Sequence, residues 1–118
     1  MKHVFFSACT AMTVLATSAH AEFQRVESEA EFVSAVNGKT LNRLLVELNV
    51  TPTGAISGTG AVWDVSGNWT WKDGYFCRRL VWGGDDLGYN CQEVALKGRK
   101  IRFTSNKGAG ESAEFTLR

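Results

Sequence analysis

From Leu44 to the end of the chain, extended segments are joined by only about two to seven residues, too few for the crossover that a parallel strand pair requires. The sheet must therefore be an antiparallel meander. Val46, Leu48 and Val50 alternate against Glu47, Asn49 and Thr51, the period of a strand with one buried face. Pro52-Thr53-Gly54 ends it. Ala55 to Trp63 reads as a second, glycine-weakened strand, Trp69 to Lys72 as a third, and Asp73-Gly74 as a tight turn into a fourth, Tyr75 to Trp82. Past the glycine-rich stretch Gly83 to Gly88 come three more: Asn90 to Lys97, Lys100 to Thr104 and Ala113 to Leu117, with Gly98-Arg99 and Asn106 to Gly110 as turns.

Ahead of this meander the hydrophobic period is helical. Ser28-Glu29-Ala30-Glu31 is a capping box, Phe32, Val33 and Val36 share one face, and Asn37-Gly38 supplies a left-handed stop. A helix of about nine residues cannot persist alone, so its apolar stripe must lie on the sheet. The predicted fold is mainly β with one short N-terminal helix (α+β): a meander of about seven strands, barrel-like or folded as a sandwich. The barrel is preferred because closure hides the edges.

The first 21 residues have the order of a secretory signal: Met1-Lys2-His3 is positive, Val4 to Thr17 is uncharged, and Ala19-His20-Ala21 is a small-x-small cleavage site. The apolar run of about 14 residues is short of the roughly 20 that a span requires. The expected organisation is a signal peptide at 1–21 and a single β-rich domain at 22–118, periplasmic or secreted from a Gram-negative cell, with no membrane span after cleavage. Cys9 leaves with the signal. Cys77 and Cys91 then remain, two thiols in a small exported domain, and they predict one structural disulfide. On neighbouring strands they would brace the base of the Gly83–Gly88 loop.

Without Lys2 the mature part holds 12 basic and 12 acidic residues. A balance near zero gives no electrostatic reason to expect nucleic acid as a partner. Both histidines, His3 and His20, fall in the signal, which removes the commonest general base and the usual triads. No catalytic residue, metal site or cofactor is predicted. Thr53-Gly54-Ala55-Ile56-Ser57-Gly58-Thr59-Gly60 matches the T-G-x-x-x-G-x-G loop of short-chain dehydrogenases, but that loop works by opening a helix, whereas Ala61 to Val65 is strand-like and leads to a turn at Ser66-Gly67. Its glycines read instead as the means of bending a strand sharply.

Candidate binding residues gather at one hairpin and the segment after it. Arg78, Arg79, Trp82, Asp85, Asp86 and Tyr89 combine aromatic faces with charge, a surface fit for a small ligand or an exported protein. Consecutive Arg78 and Arg79 must point to opposite faces, so one is directed inward and requires a partner such as Asp64, Asp85 or Glu93. By alternation Trp69 and Trp71 share a face and fill the core.

The run Trp69-Thr70-Trp71-Lys72-Asp73-Gly74-Tyr75-Phe76-Cys77-Arg78, then Trp82-Gly83-Gly84-Asp85-Asp86-Leu87-Gly88-Tyr89-Asn90-Cys91, and Phe103 to Gly110 near the end, resembles a group of small exported alphaproteobacterial proteins. The resemblance covers the whole mature chain. Members of that group are often labelled dihydrodipicolinate reductase, so it implies such an activity as an alternative. A reductase of that kind carries a dinucleotide fold over about twice this length and a histidine-pair motif with lysine, and the mature chain has neither. The reading the residues favour is a disulfide-stapled, barrel-like periplasmic module that binds an unidentified ligand or protein, with an inhibitor of a wall hydrolase as a further alternative.

Overall fold

The computed structural model describes residues 22–118. The predicted signal peptide, with Cys9, lies outside them. The described chain begins with a short strand, β1 (Gln24–Val26), and a helix, α1 (Glu29–Val36). Ser28 caps the helix, its Oγ accepting from the Glu31 amide at 3.2 Å, and Gly38 takes the left-handed φ of 73° just beyond the end.

Eight strands then pair antiparallel in chain order: β2 (Thr40–Arg43), β3 (Val46–Val50), β4 (Ala55–Gly60), β5 (Trp63–Lys72), β6 (Tyr75–Trp82), β7 (Asp85–Lys97), β8 (Lys100–Thr104) and β9 (Ser112–Leu117). Through Leu41↔Leu117 and Asn42↔Thr116, β9 returns to β2, and the sheet closes into a barrel. The fold is thus an eight-stranded up-and-down barrel with one helix and one extra strand. That extra strand, β1, pairs with Val94 to Leu96 of β7, opposite β8, and so continues the β7 edge that β6 leaves after Phe76↔Gln92.

Three boundaries differ from those expected. The strand count rises from seven to nine, because β1 is only three residues long and β2 shows a single buried residue, Leu41, between polar neighbours. The turn expected at Ser66-Gly67 lies instead at Ala61-Val62, with Ala61 at φ 54°, so β5 runs unbroken through Gly67. The Gly83–Gly88 loop contracts to Gly83-Gly84, whose φ values of 56° and 92° suffice for a two-residue hairpin turn. The remainder joins β7, where Leu87 is the extra residue of a bulge between Val81↔Asp86 and Leu80↔Gly88.

Helix α1 seals one end of the barrel. Phe32 and Val36 are fully buried, and the Phe32 ring sits among Trp69 (5.1 Å, edge-on), Trp71 (5.3 Å, stacked), Phe76 (5.0 Å) and Phe103 (6.3 Å). Both Trp69 and Trp71 belong to this packing. The Trp69 indole also donates to the Thr51 carbonyl at 2.9 Å, tying the β3–β4 connection over the plug.

Cys77 and Cys91 face each other directly across β6 and β7 and form a disulfide on the outer side of the barrel wall. It clasps the middle of the hairpin. Replacing both cysteines by alanine is expected to cost about 3 kcal/mol, the entropy of a loop of about 15 residues, and to lower Tm by roughly 12–24 °C. Calorimetry of oxidised wild type against the double variant measures this; a shift of only a degree or two would mean that the barrel itself constrains these strands.

Candidate functional site

Alternation carries one set of side chains from each strand into the barrel, and above the Phe32 plug they leave a cavity of about 410 Å³. Its floor is Phe76 and Phe103. Leu48, Val50, Ile56 and Leu80 make the walls, and Arg43, Ser105, Glu111 and Ser112 stand at the mouth. The size falls within the range of small-molecule sites, about 300–1,000 Å³. The mouth lies at the end formed by the β2–β3, β4–β5, β6–β7 and β8–β9 connections, opposite the end that α1 covers.

Two polar side chains interrupt the apolar wall. Gln92, almost fully buried, donates from Nε2 to Ser105 Oγ at 3.1 Å. Arg78, half-buried on the same inward face as Phe76 and Leu80, donates from Nη1 to the Gly88 carbonyl at 3.1 Å. Among the described residues no carboxylate stands within ion-pair distance of it. Burial lowers the Arg78 pKa from its ordinary value, yet a guanidinium remains charged at any physiological pH. The lumen therefore holds a cation with most of its donors unmatched.

This corrects one expectation. The inward arginine is Arg78, and neither Asp64, Asp85 nor Glu93 pairs with it; the ion pair belongs to the outward Arg79, which meets Asp86 at 3.5 Å with both side chains more than half exposed. A strand's alternation sends the two arginines to opposite sides of the wall, and among the described residues the acid within ion-pair reach of either, Asp86, lies on the outer face. Exposed and solvent-screened, the Arg79–Asp86 pair adds little to stability.

Of the six candidate residues, then, the structure brings only Arg78 into the cavity. Asp85 and Asp86 sit at the hairpin tip, where Asp86 Oδ1 accepts from the Gly88 amide at 2.7 Å and shapes the bulge. Trp82 is 38% exposed, with its indole N–H donating to the Gly60 carbonyl at 2.9 Å. Tyr89 lies on the outer face, 55% exposed, its hydroxyl 3.4 Å from Cys91 Sγ. Sequence reasoning missed Arg43, Gln92, Ser105, Glu111 and Ser112. A signal existed for Gln92: it precedes Val94 and Leu96 at the strand period, which assigns it to their inward face.

Three of the four connections at the open end, β2–β3, β4–β5 and β6–β7, expose apolar side chains. Leu44 (87% exposed), Leu45, Val62 (83%), Trp63, Trp82 and Leu87 all lie in or beside its turns, six of the seven large apolar side chains that are exposed among the described residues. The Ala61 amide donates to the Leu45 carbonyl at 2.6 Å and holds two of these turns together.

Thr53 to Gly60 forms the β3–β4 turn and then β4 itself, and a two-residue turn leads directly to β5. No helix amino terminus succeeds the glycines, so the arrangement that grips a pyrophosphate does not form there. Among the described residues no three His, Cys, Asp or Glu side chains gather as a metal site, and no helix is long and apolar enough to cross a membrane. No protein-family model, curated protein or solved structure matches the chain.

Proposed function

We propose that the protein is an exported, periplasmic binding module that takes a small anionic ligand into its barrel lumen through the open end. The observation that carries this reading is Arg78: a half-buried guanidinium, with no acid within ion-pair distance among the described residues, faces a cavity walled mostly by Leu, Ile, Val and Phe, with Gln92 in the wall and Arg43, Ser105, Glu111 and Ser112 at its mouth. The remaining N–H groups of Arg78 are not buried but open to the lumen, where an anion can replace the water they meet, so the lumen is suited to an anion. Trp82, Asp85 and Asp86, at the β6–β7 tip, stand beside the mouth and meet whatever extends from it, while Arg79 and Tyr89 continue that surface along the outer face. Export is supported by the signal-like first 21 residues together with the Cys77–Cys91 disulfide, a bond that persists in oxidising compartments.

The test uses protein purified from the periplasmic fraction. Small molecules released on denaturation are identified by mass spectrometry, and periplasmic extract fractions are titrated back while tryptophan fluorescence is followed. Arg78→Gln is expected to weaken the response about 10- to 100-fold, the worth of a charge-assisted hydrogen-bonded pair. A response that is the same in Arg78→Gln, or no response to any fraction, defeats the lumen reading; free thiols at Cys77 and Cys91 in protein from intact cells defeat export.

A further inference from the structure

The lumen's charge, volume and walls together narrow the ligand to one chemical class, an inference that rests on the binding reading above. The residues around the cavity include two arginines, Arg43 and Arg78, and one acid, Glu111, an excess of one positive charge. A neutral ligand leaves the half-buried Arg78 unmatched, and a dianion carries one charge too many into a partly desolvated site. A monoanion balances it.

The geometry of that charge favours a planar head. Arg78 spends one N–H on the Gly88 carbonyl, the only hydrogen-bond partner of its side chain among the described residues. The rest of its fork is available, and a carboxylate accepts two parallel N–H groups from such a fork. Arg43 lies with its guanidinium carbon 5.6 Å from the Phe115 ring centroid, at the mouth, where it adds attraction without enclosing the head.

Most of the remaining wall is suited to hydrocarbon. Leu48, Val50, Ile56 and Leu80 offer no hydrogen-bonding side-chain atoms, and Gln92 is already engaged with Ser105. Taking about 30 Å³ for each small heavy atom, a volume of 410 Å³ admits roughly a dozen. Apolar turns carrying Leu44, Leu45, Val62 and Trp63 border one side of the entrance, so a body longer than the lumen can leave it along apolar surface there.

We propose that the barrel binds a monocarboxylate with an apolar chain or ring of roughly a dozen heavy atoms, its carboxylate on Arg78 and its body on the Leu48, Val50, Ile56 and Leu80 walls.

Calorimetric titration of the purified, delipidated protein with four probes tests this: decanoate, 1-decanol, the ten-carbon dicarboxylate sebacate, and inorganic phosphate. Decanoate is expected to bind one to one, at least tenfold more tightly than 1-decanol or sebacate, with phosphate silent. Arg78→Gln, a polar substitution beside open cavity, is expected to erase the advantage of decanoate over 1-decanol. Because the arginine stays charged, decanoate binding should hold at neutral pH and fade as pH falls through the probe's own carboxyl pKa, about 4–5. Equal affinity for decanoate and 1-decanol, tighter binding of sebacate or phosphate, or an unchanged preference in Arg78→Gln overturns the proposal.

Leu48→Trp, which fills the lumen, separates this failure from failure of the lumen site itself; Ala113→Leu serves if the tryptophan variant does not fold. Silence with decanoate in wild type, while either filling variant abolishes the response to periplasmic extract, shows the ligand class to be wrong and the lumen site right. Decanoate binding that survives both filling variants removes the lumen site and this proposal together.

Discussion

Phe32→Ala is expected to destabilise the protein by about 3–5 kcal/mol, the range for deleting a buried aromatic ring, out of a total stability of roughly 5–15 kcal/mol for a domain. The upper part of the range applies here. Phe32 is fully buried, and its ring is the hub at which Trp69, Trp71, Phe76 and Phe103 meet, from three different strands. The space it vacates adjoins the lumen rather than collapsing, because the barrel wall is held by its own hydrogen-bond ladder and the helix by its cap. Both Phe76 and Phe103, the floor of the cavity, lose their support on one side. Urea unfolding should show a lower midpoint at nearly unchanged slope. Val33→Ala, on the same helix but only partly buried, should cost about 1 kcal/mol. If Phe32→Ala cost no more than that, α1 would be an ornament on the barrel and not its plug.

A change at Gly67 should be equally severe for a different reason. In β5 this residue lies opposite Leu80, and a Cβ built there runs into the Arg79 carbonyl oxygen and crowds Leu80 Cδ2. The neighbouring strand approaches so closely because the sheet bends into a barrel of only eight strands. Gly67→Val therefore has to push β5 and β6 apart and break ladder hydrogen bonds; about 4 kcal/mol or more is expected, with little folded protein recovered. Gly58 in β4 has the same role against the Glu47 carbonyl. The comparison is Gly84, in the β6–β7 turn at φ 92°, where an added Cβ meets nothing within 4 Å. Asparagine is among the side chains least strained by positive φ, and Gly84→Asn should cost about 1–2 kcal/mol. Similar losses at Gly67 and Gly84 would show that backbone conformation, not strand approach, decides both.

Much of the fold was legible from residue order. The cap at Ser28, the stop at Gly38 and the Asp73-Gly74 turn each depend on a few neighbouring residues, and each forms where the pattern placed it. The inward direction of Trp69 and Trp71 comes from period 2 within one strand. The misplaced elements share the opposite character. Nothing in Ala61-Val62 signals a turn; Ala61 takes a positive φ because β4 and β5 must meet there in register, its amide bonded to Leu45 of another turn. The Asp85 to Gly88 stretch reads as loop by composition, yet it extends β7 because β6 offers it a partner edge.

Residue order, then, determined the antiparallel connectivity, the helix and the paired thiols, since short connections, caps and alternation are local properties of a chain. Closure and the lumen were decided only in three dimensions. Leu41 meets Leu117 from opposite ends of the barrel's sequence, a contact no period encodes. Whether the inward arginine would find an acid depended on which side chains the far wall of the barrel presents to it. Among the described residues the barrel brings no carboxylate within ion-pair distance of it, and this is what turns Arg78 from a structural ion-pair candidate into the proposed binding group.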